Sequence, residues 1–275
     1  MLYFFTFCTY IGRHTKEDLV FALSLLTTSI HKFNKEYKII CYTNFEIKHP
    51  ILQDKSIEYR AYYDNGMKLY KDKWLNLSFN KINIYKDLHD EFNVNFIWVD
   101  LDTVVLHDLS YLNDFEHFFI ENGGFCVDEK IIFDNDRTMT IASNRYIQGN
   151  FWKISIDLYH KLMNVLNSII QRKLVLKYDL QCLFSYYIYH LQNKANVLGY
   201  NVKTDCNYGL SVWSKAGNTH ATLDGLKNMY CDVNNVMKTK LYPEISIHVL
   251  GFTFFTLNKL KNTDEFKQLF KPVIS

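Results

Sequence analysis

The sequence predicts an α/β fold in which a mixed, mostly parallel sheet is flanked by helices on both faces. Between residues 2 and 99, apolar runs of strand length alternate with stretches of helical length. The strand-like runs are continuously apolar, as expected when helices cover both faces of a parallel sheet. The chain has 275 residues and is 48% hydrophobic, so we expect one compact domain spanning residues 1–275.

The first part of the chain gives the clearest signals for individual elements. The run LYFFTFC is a buried strand, and the stretch after it combines helical length with helix-forming residues. A second buried run, YKIICYT, follows, and a third, VNFIWV, closes this part of the chain. Strands are predicted at 2–8, 37–43, 57–60 and 94–99, and helices at 17–33 and 74–91.

After residue 103 the pattern changes to shorter strand candidates and longer loops. Two amphipathic helices follow, because apolar residues recur there at helical spacing. We find no repeat, low-complexity segment or linker, so both halves are expected to share one sheet.

The elements predicted after residue 103 are as follows in chain order. Strand and turn segments are predicted at 123–133 and 145–154, and a strand at 244–250 and a helix at 262–270 are predicted to end the chain. The apolar stripe of the first amphipathic helix consists of Leu158, Leu162, Val165, Leu166, Ile169 and Ile170, and that of the second consists of Leu180, Leu183, Phe184, Tyr187, Ile188 and Leu191.

Composition narrows the function classes. A net charge of +2 and a pI near 8.1 argue against binding along a nucleic-acid backbone. The six cysteines include no C-x-x-C pair and are expected to be reduced thiols, which indicates a cytoplasmic protein. The N-terminus is expected to be a first strand rather than a signal peptide, and no apolar stretch approaches the ~18 residues of a membrane span.

The segment FIWVDLDTVV ends a buried strand with two carboxylates, Asp100 and Asp102. In an extended strand, residues i and i+2 point to the same face and lie ~6.6 Å apart. The carboxyl ends of strands in open α/β sheets border the ligand crevice. Paired hard oxygen ligands there suit Mn²⁺ or Mg²⁺ holding a phosphorylated substrate. The alternative is a turn, because aspartate is favoured where strands end.

This segment resembles the DxD motif of nucleotide-sugar glycosyltransferases with the GT-A fold. Within that group the chain is most similar to family 8, which includes glycogenin and bacterial lipo-oligosaccharide galactosyltransferases. The resemblance implies metal-dependent transfer of a sugar from a nucleoside diphosphate, UDP above all, to a hydroxyl acceptor on a glycan, a glycolipid or a glycoprotein. It also implies a nucleotide-binding half at 1–106 and a donor- and acceptor-binding half at 107–275. In this reading Asp102 binds the metal, and Asp100 binds the metal or the ribose.

Lys81 lies within the apolar stripe of the predicted helix at 74–91. A lysine in such a stripe needs an anionic partner or loses its charge. In the GT-A pattern, a basic residue on this helix reaches the nucleotide sugar or the DxD acids, and FNKINIYKDL resembles that segment. The alternative is a lysine that extends its ammonium to solvent at the rim of the stripe.

His248 and Gly251 have the H-x-x-G spacing of the family 8 segment whose histidine binds the metal and whose glycine approaches the diphosphate. Mixed nitrogen and oxygen ligation favours Mn²⁺. The family pattern continues with a lysine at the position of Phe254, so Lys259 or Arg13 is expected to take its place at the distal phosphate. The alternative for His248 is a hydrogen-bonded core residue.

Further binding residues are implied at the end of the first strand and in two later loops. Thr9 and Tyr10 occupy positions that contact the base in the GT-A pattern. Gln148, Gly149 and Asn150 match a loop behind the sugar pocket. Asp179 and Gln181 resemble the family's Asp-Gln segment, which recognises the sugar or, in an inverting enzyme, supplies the base. Helix capping is the alternative role for Asp179.

Two other classes of function remain open. The motif DLDTVV also fits a phosphatase or phosphotransferase of the haloacid dehalogenase type, with Asp100 as nucleophile and Asp102 as general acid. The chain could instead be a carbohydrate-binding module that has lost turnover. The segment 258–272 carries lysines beside apolar residues, so peripheral contact with a membrane that holds a lipid-linked saccharide acceptor is a further possibility, with packing on the core as the alternative. The sequence does not reveal the donor sugar, the stereochemical outcome or the oligomeric state.

Overall fold

The protein is described by a computed structural model. It describes residues 1–12, 14–63, 73–105, 108–121, 129–132, 138–141, 147–171, 179–187 and 246–248, together with 262, 264, 267 and 271.

Strands and helices alternate along the first half of the chain, as predicted. The strands are β1 (Leu2–Cys8), β2 (Tyr37–Thr43), β3 (Ile57–Ala61), β4 (Ile97–Val99), β5 (Thr103–Val105), β6 (Phe118–Glu121), β7 (Glu129–Ile132), β8 (Thr138–Ile141), β9 (Ile147–Lys153) and β10 (Ser246–His248). The helices are α1 (Lys16–Phe33), α2 (Lys73–Phe92), α3 (Ile156–Gln171) and α4 (Asp179–Tyr186), with short 3₁₀ helices at Pro50–Gln53 and Ser110–Asp114.

The main sheet has six strands in the order β3-β2-β1-β4-β9-β6. The pairs β1–β2 and β2–β3 are parallel, and the pair β6–β9 is antiparallel. The sheet is therefore mixed and mostly parallel, which confirms the predicted fold class. Two small antiparallel sheets, β10–β5 and β7–β8, accompany it.

The chain forms two compact units, each assembled from separate stretches of sequence. The first contains the described residues within Met1–Tyr62, Val99–Asn113 and Lys203–Ser275. The second contains those within Tyr63–Trp98 and Asp114–Val202.

Local sequence explains why the first unit forms its elements. Every residue of β1 except Tyr3 is buried, and so are Ile39, Ile40, Cys41 and Tyr42 of β2, as continuous apolar runs predict. A capping box starts α1, because the Thr15 hydroxyl accepts from the Asp18 N–H and the Asp18 carboxylate accepts from the Thr15 N–H. This box fixes where the chain turns from β1 into α1.

The second unit follows the predicted helical stripes with small differences. On α3, Leu158, Leu162, Leu166 and Ile169 are buried, whereas Ile170 is 37% exposed. On α4, Leu180, Leu183, Phe184 and Tyr187 are buried, while Ile188 and Leu191 lie outside the described residues.

Two further expectations concern cysteines and membranes. Cys8, Cys41 and Cys182 are buried free thiols, as predicted; the other three cysteines lie outside the described residues. None of the helices in the described part of the chain combines the length and apolar character that a bilayer crossing requires. Of the predicted C-terminal helix at 262–270, only positions 262, 264 and 267 are described, and all three are exposed.

Candidate functional site

Asp100 and Asp102 lie on a tight turn. Strand β4 ends at Val99, and the N–H of Thr103 donates to the carbonyl of Asp100 at 3.2 Å. Asp100 and Asp102 therefore occupy the first and third positions of a four-residue turn, and both are half-buried. The expectation that they share one face of an extended strand is wrong, because β4 ends at Val99 and the structure shows the alternative, a turn after the strand. Both acids belong to this short turn between β4 and β5.

Strand β10 pairs with the residues that follow this turn. In the antiparallel ladder His248 is opposite Thr103, and Ile247 is opposite Val104. The Cα atoms of directly opposed residues are about 4.5–5.5 Å apart. The backbone of His248 is thus next to the residue that follows Asp102. The His248 side chain lies outside the described part of the structure.

Two side chains near the C-terminus of α1 hold residues that follow the Asp100–Thr103 turn. The hydroxyl of Ser29 accepts from the N–H of Val105 at 3.0 Å. The carboxamide of Asn34 accepts from the N–H of Leu109 at 2.8 Å and donates to the carbonyl of Ile30 at 3.0 Å. Ser29, Asn34, Val105 and Leu109 are all buried, so these bonds give Val105 and Leu109 fixed positions against the C-terminal part of α1.

The donor chemistry of this turn fits a hard divalent cation in part. Two carboxylates on one short turn are oxygen ligands of the kind that Mg²⁺ and Mn²⁺ prefer. Within the described residues, no group of three or more His, Cys, Asp and Glu side chains could hold a metal. A third protein ligand would therefore have to come from a side chain such as that of His248.

The end of β1 presents Tyr10 rather than Thr9. Thr9 is 6% exposed, whereas the Tyr10 side chain is 44% exposed. The side chain of Asn44, which follows β2, accepts from the Tyr10 N–H at 2.7 Å and donates to the Tyr10 carbonyl at 2.9 Å. The last ladder pair of the two strands is Cys8 with Thr43, so Asn44 extends the β1–β2 pairing by a side chain.

A lysine lies close to two aromatic rings at the same end of the sheet. The Nζ of Lys16, the first residue of α1, is 5.8 Å from the centroid of the Tyr10 ring and 5.6 Å from that of Phe45. Both distances are within the range of cation–π attraction. The Thr43 hydroxyl bonds the backbone of Phe45 through its N–H at 3.3 Å and its carbonyl at 2.9 Å. Both rings therefore project from backbone that hydrogen bonds hold in place.

Lys81 is half-buried on α2. Its Nζ is 4.3 Å from the centroid of the Trp98 ring, a residue of β4 that is 1% exposed. The apolar residues Phe79, Ile82, Tyr85 and Leu88 of α2 are buried, and by helical spacing the half-buried Lys81 falls between Tyr85 and Leu88. The lysine on this helix thus has the face of an indole as a neighbour.

Gly149 and Gln181 come together in the second unit. A Cβ atom added to the buried Gly149 would lie 2.8 Å from Cγ of Gln181. Gly149 and Asn150 belong to β9, and α4 begins at Asp179. The predicted loop at Gln148–Asn150 is therefore strand, and it is adjacent to the predicted Asp-Gln segment. The side chains of Gln148, Asn150 and Asp179 lie outside what the structure describes.

Several predicted site residues are not described. Gly251, Phe254, Lys259 and Arg13 fall among them. Their expected roles at the diphosphate stay predictions.

The sequence interpretation missed Asn44, Lys16 and Phe45. Asn44 and Phe45 directly follow a predicted parallel strand, and the ends of neighbouring parallel strands meet at one edge of the sheet. That signal could have drawn attention to the two residues. The position of Lys16 beside the rings depends on where α1 begins, and the first residue of a helix is difficult to predict from sequence.

The fold is similar to that of a known transferase. No protein-family model matches the sequence, and no curated protein matches it. Among solved structures, the apo structure of WbbM, described as a bifunctional glycosyltransferase, matches 100% of this chain with a TM-score of 0.56 and 14% sequence identity. This chain spans about half of that protein, since 52% of its length is covered. The likeness is one of fold, and it is consistent with the GT-A type.

Proposed function

We propose that this chain is a metal-dependent glycosyltransferase that moves a sugar from a nucleoside diphosphate to a hydroxyl acceptor. UDP is the expected nucleotide, and a glycan, glycolipid or glycoprotein is the expected acceptor. The observation that carries the proposal is the Asp100–Thr103 turn, with position 248 opposite Thr103 in the β10–β5 ladder. These residues are far apart in sequence, and the family 8 pattern requires them at one site.

The predicted site residues form two groups, one that would bind the nucleoside diphosphate of the donor and one that would bind the transferred sugar. Asp102 and His248 would bind Mn²⁺ or Mg²⁺, and Asp100 would bind the metal or the ribose. Bound there, the cation would stabilise the negative charge that develops on the departing diphosphate. Thr9 and Tyr10 would contact the base, and Gly251 would let the backbone approach the diphosphate.

Lys81 and the β9–α4 residues complete the proposed machinery. The positive charge of Lys81 would offset charge on the nucleotide sugar. Asn150 and Gln181 would hydrogen-bond hydroxyl groups of the transferred sugar. Asp179 would recognise the sugar or, if the reaction inverts the anomeric centre, would accept the proton of the acceptor hydroxyl.

The test is Asp102→Asn, assayed by Mn²⁺-dependent release of UDP from a panel of UDP-sugars. The amide removes a metal-binding charge while keeping the size of the side chain, so we expect release to fall by at least about a hundredfold. The circular dichroism spectrum should not change.

The matched control is Asp157→Asn, because Asp157 is an exposed carboxylate in the first turn of α3. That variant should keep the wild-type rate. Full activity of Asp102→Asn would remove the proposal. Formation of a phosphoryl adduct on Asp100 from a phosphate-ester substrate would instead support the haloacid dehalogenase type of chemistry.

A further inference from the structure

Tyr10, whose ring is exposed, makes two backbone hydrogen bonds and a cation–π contact that have no assigned role in the proposed reaction. An exposed tyrosine at a strand end is ordinarily free to adopt several rotamers. Here its own N–H and carbonyl are both bonded by one carboxamide, at 2.7 and 2.9 Å. The backbone that carries the ring therefore has a fixed direction.

The carboxamide of Asn44 bonds the N–H and the carbonyl of Tyr10, as the backbone of a neighbouring β-strand would. It offers one acceptor and one donor, and it uses both on a single residue of the neighbouring strand end. Asn44 itself is exposed, so these bonds are not needed to satisfy a buried group. Their effect is to keep Tyr10 aligned with the end of β2 beyond the last ladder pair.

Lys16 lies near the Tyr10 ring itself. Its ammonium lies within 6 Å of both ring centroids, at 5.8 Å from Tyr10 and 5.6 Å from Phe45. An exposed cation–π contact is worth about 0.5–1 kcal/mol, enough to bias a ring between rotamers. Phe45 is half-buried, and the Thr43 hydroxyl holds its backbone through two hydrogen bonds. One of the two aromatic neighbours of Lys16 therefore has a fixed backbone.

An aromatic ring that extends from a fixed backbone and has biased rotamers is suited to stacking against a flat nucleobase. Base–aromatic stacking depends on the relative orientation of the two planes, and pre-ordering the ring lowers the entropy lost on binding. We propose that Asn44 is a positioning residue that holds Tyr10 for stacking against the nucleobase of the donor, and that Lys16 braces the Tyr10 ring against Phe45. This inference rests on the proposed function, in which Tyr10 contacts the base, and it adds the roles of Asn44 and Lys16.

The proposal separates base recognition from diphosphate recognition. Asn44→Ala removes both bonds to Tyr10 and should weaken UDP binding about fivefold in the presence of Mn²⁺. Binding of inorganic pyrophosphate, which has no base, should stay within about twofold of wild type. Lys16→Met keeps the length of the side chain without the charge and should weaken UDP binding about twofold to threefold. Isothermal titration calorimetry measures all of these affinities.

A double-mutant cycle tests whether Asn44 acts through Tyr10. Tyr10→Ala removes the ring, so adding Asn44→Ala should then cost little further UDP affinity. Asn44→Asp keeps the acceptor for the Tyr10 N–H and should bind UDP more tightly than Asn44→Ala. The control Asn167→Ala changes the same type of side chain at an exposed position of α3 and should bind UDP like wild type.

Other results overturn the inference. The inference is wrong if Asn44→Ala binds UDP with wild-type affinity, or if it loses UDP and pyrophosphate affinity equally. It is also wrong if the losses of UDP affinity caused by Tyr10→Ala and Asn44→Ala are additive in the double variant. Failure of the wild-type protein to bind any nucleoside diphosphate would overturn the proposed function as well. The two failures are distinguishable, since only the second is seen in the unmutated chain.

Discussion

Gly149 marks a close approach between β9 and α4. It is buried, and the added Cβ position lies 2.8 Å from Cγ of Gln181, well inside van der Waals contact. Cγ is near the base of the glutamine side chain, so it has little freedom to move away. The glycine is thus explained by a neighbour on a different element.

We expect Gly149→Ala to destabilise the protein by about 1–3 kcal/mol, the usual cost of forcing an extra methyl group into a packed contact. The measurement is urea unfolding followed by circular dichroism. In a Gln181→Ala background the clashing Cγ is absent, so the same substitution should cost markedly less. Equal costs in both backgrounds would show that another contact sets the requirement for glycine.

The sequence predicted the residue types at the candidate site better than their geometry. Asp100 and Asp102 stood out because two acids follow a buried apolar run. Their turn was predicted only as the alternative to an extended strand, because the local pattern does not reveal the backbone hydrogen bond from Thr103 to Asp100. The contact between Gly149 and Gln181 joins residues on two elements, and no local pattern encodes it.

At the scale of elements, the hydroxyl of Tyr85 links α2 to the chain that follows β9. The Tyr85 hydroxyl donates to the carbonyl of Ile154, and it lies 3.1 Å from Oδ1 of Asn95. Tyr85 and Ile154 are fully buried, and burial raises the pKa of the phenol well above its usual value. The hydroxyl therefore stays protonated and remains a donor.

Tyr85→Phe should lower the free energy of unfolding by about 1–3 kcal/mol, because it leaves the buried Ile154 carbonyl without its donor. Chemical denaturation with urea gives this value directly. Tyr63→Phe is the matched control, since Tyr63 is 71% exposed and should lose almost nothing. A loss of similar size in both variants would mean that removal of the buried hydrogen bond is not the cause.

Strands β2 and β3 are joined by an ion pair that depends on pH. Glu58 of β3 accepts from Lys38 of β2 at 2.6 Å and from Arg60 at 2.6 Å. The hydrogen bond from Lys38, followed by the contact with Arg60, holds the pKa of Glu58 below its usual value of 4.5. A carboxyl group with a lowered pKa stabilises the fold above the unfolded-state pKa, and this contribution is lost as the pH falls through the folded-state value.

The stability difference between wild type and Glu58→Gln should therefore be constant near neutral pH and should shrink below about pH 4.5. Unfolding midpoints measured from pH 7 down to pH 3 give the comparison. Glu46→Gln serves as the control, because the Glu46–Lys48 pair is 73% and 78% exposed and contributes little. A gap between wild type and Glu58→Gln that widens on acidification would contradict the assignment.

At the scale of the whole molecule, the sequence predicted the class of fold because its main signals are local. Continuous apolar runs identified β1 and β2, helical length and helix-forming residues identified α1, and helical spacing identified α3 and α4. The pairings β6–β9 and β10–β5 were not predicted, because each joins strands separated by long stretches of chain. The compact units likewise combine distant stretches, which composition along the chain does not reveal.

The hydrogen bonds around β5 also bear on how copies of the protein meet one another. Two of the three amides of this strand are bonded outside its ladder, that of Thr103 to the Asp100 carbonyl and that of Val105 to the Ser29 hydroxyl. A strand with free amides along one side can recruit an extended segment from another molecule. Here both amides are already bonded and all three residues of β5 are buried, so this strand offers no edge on which a segment of another molecule could pair.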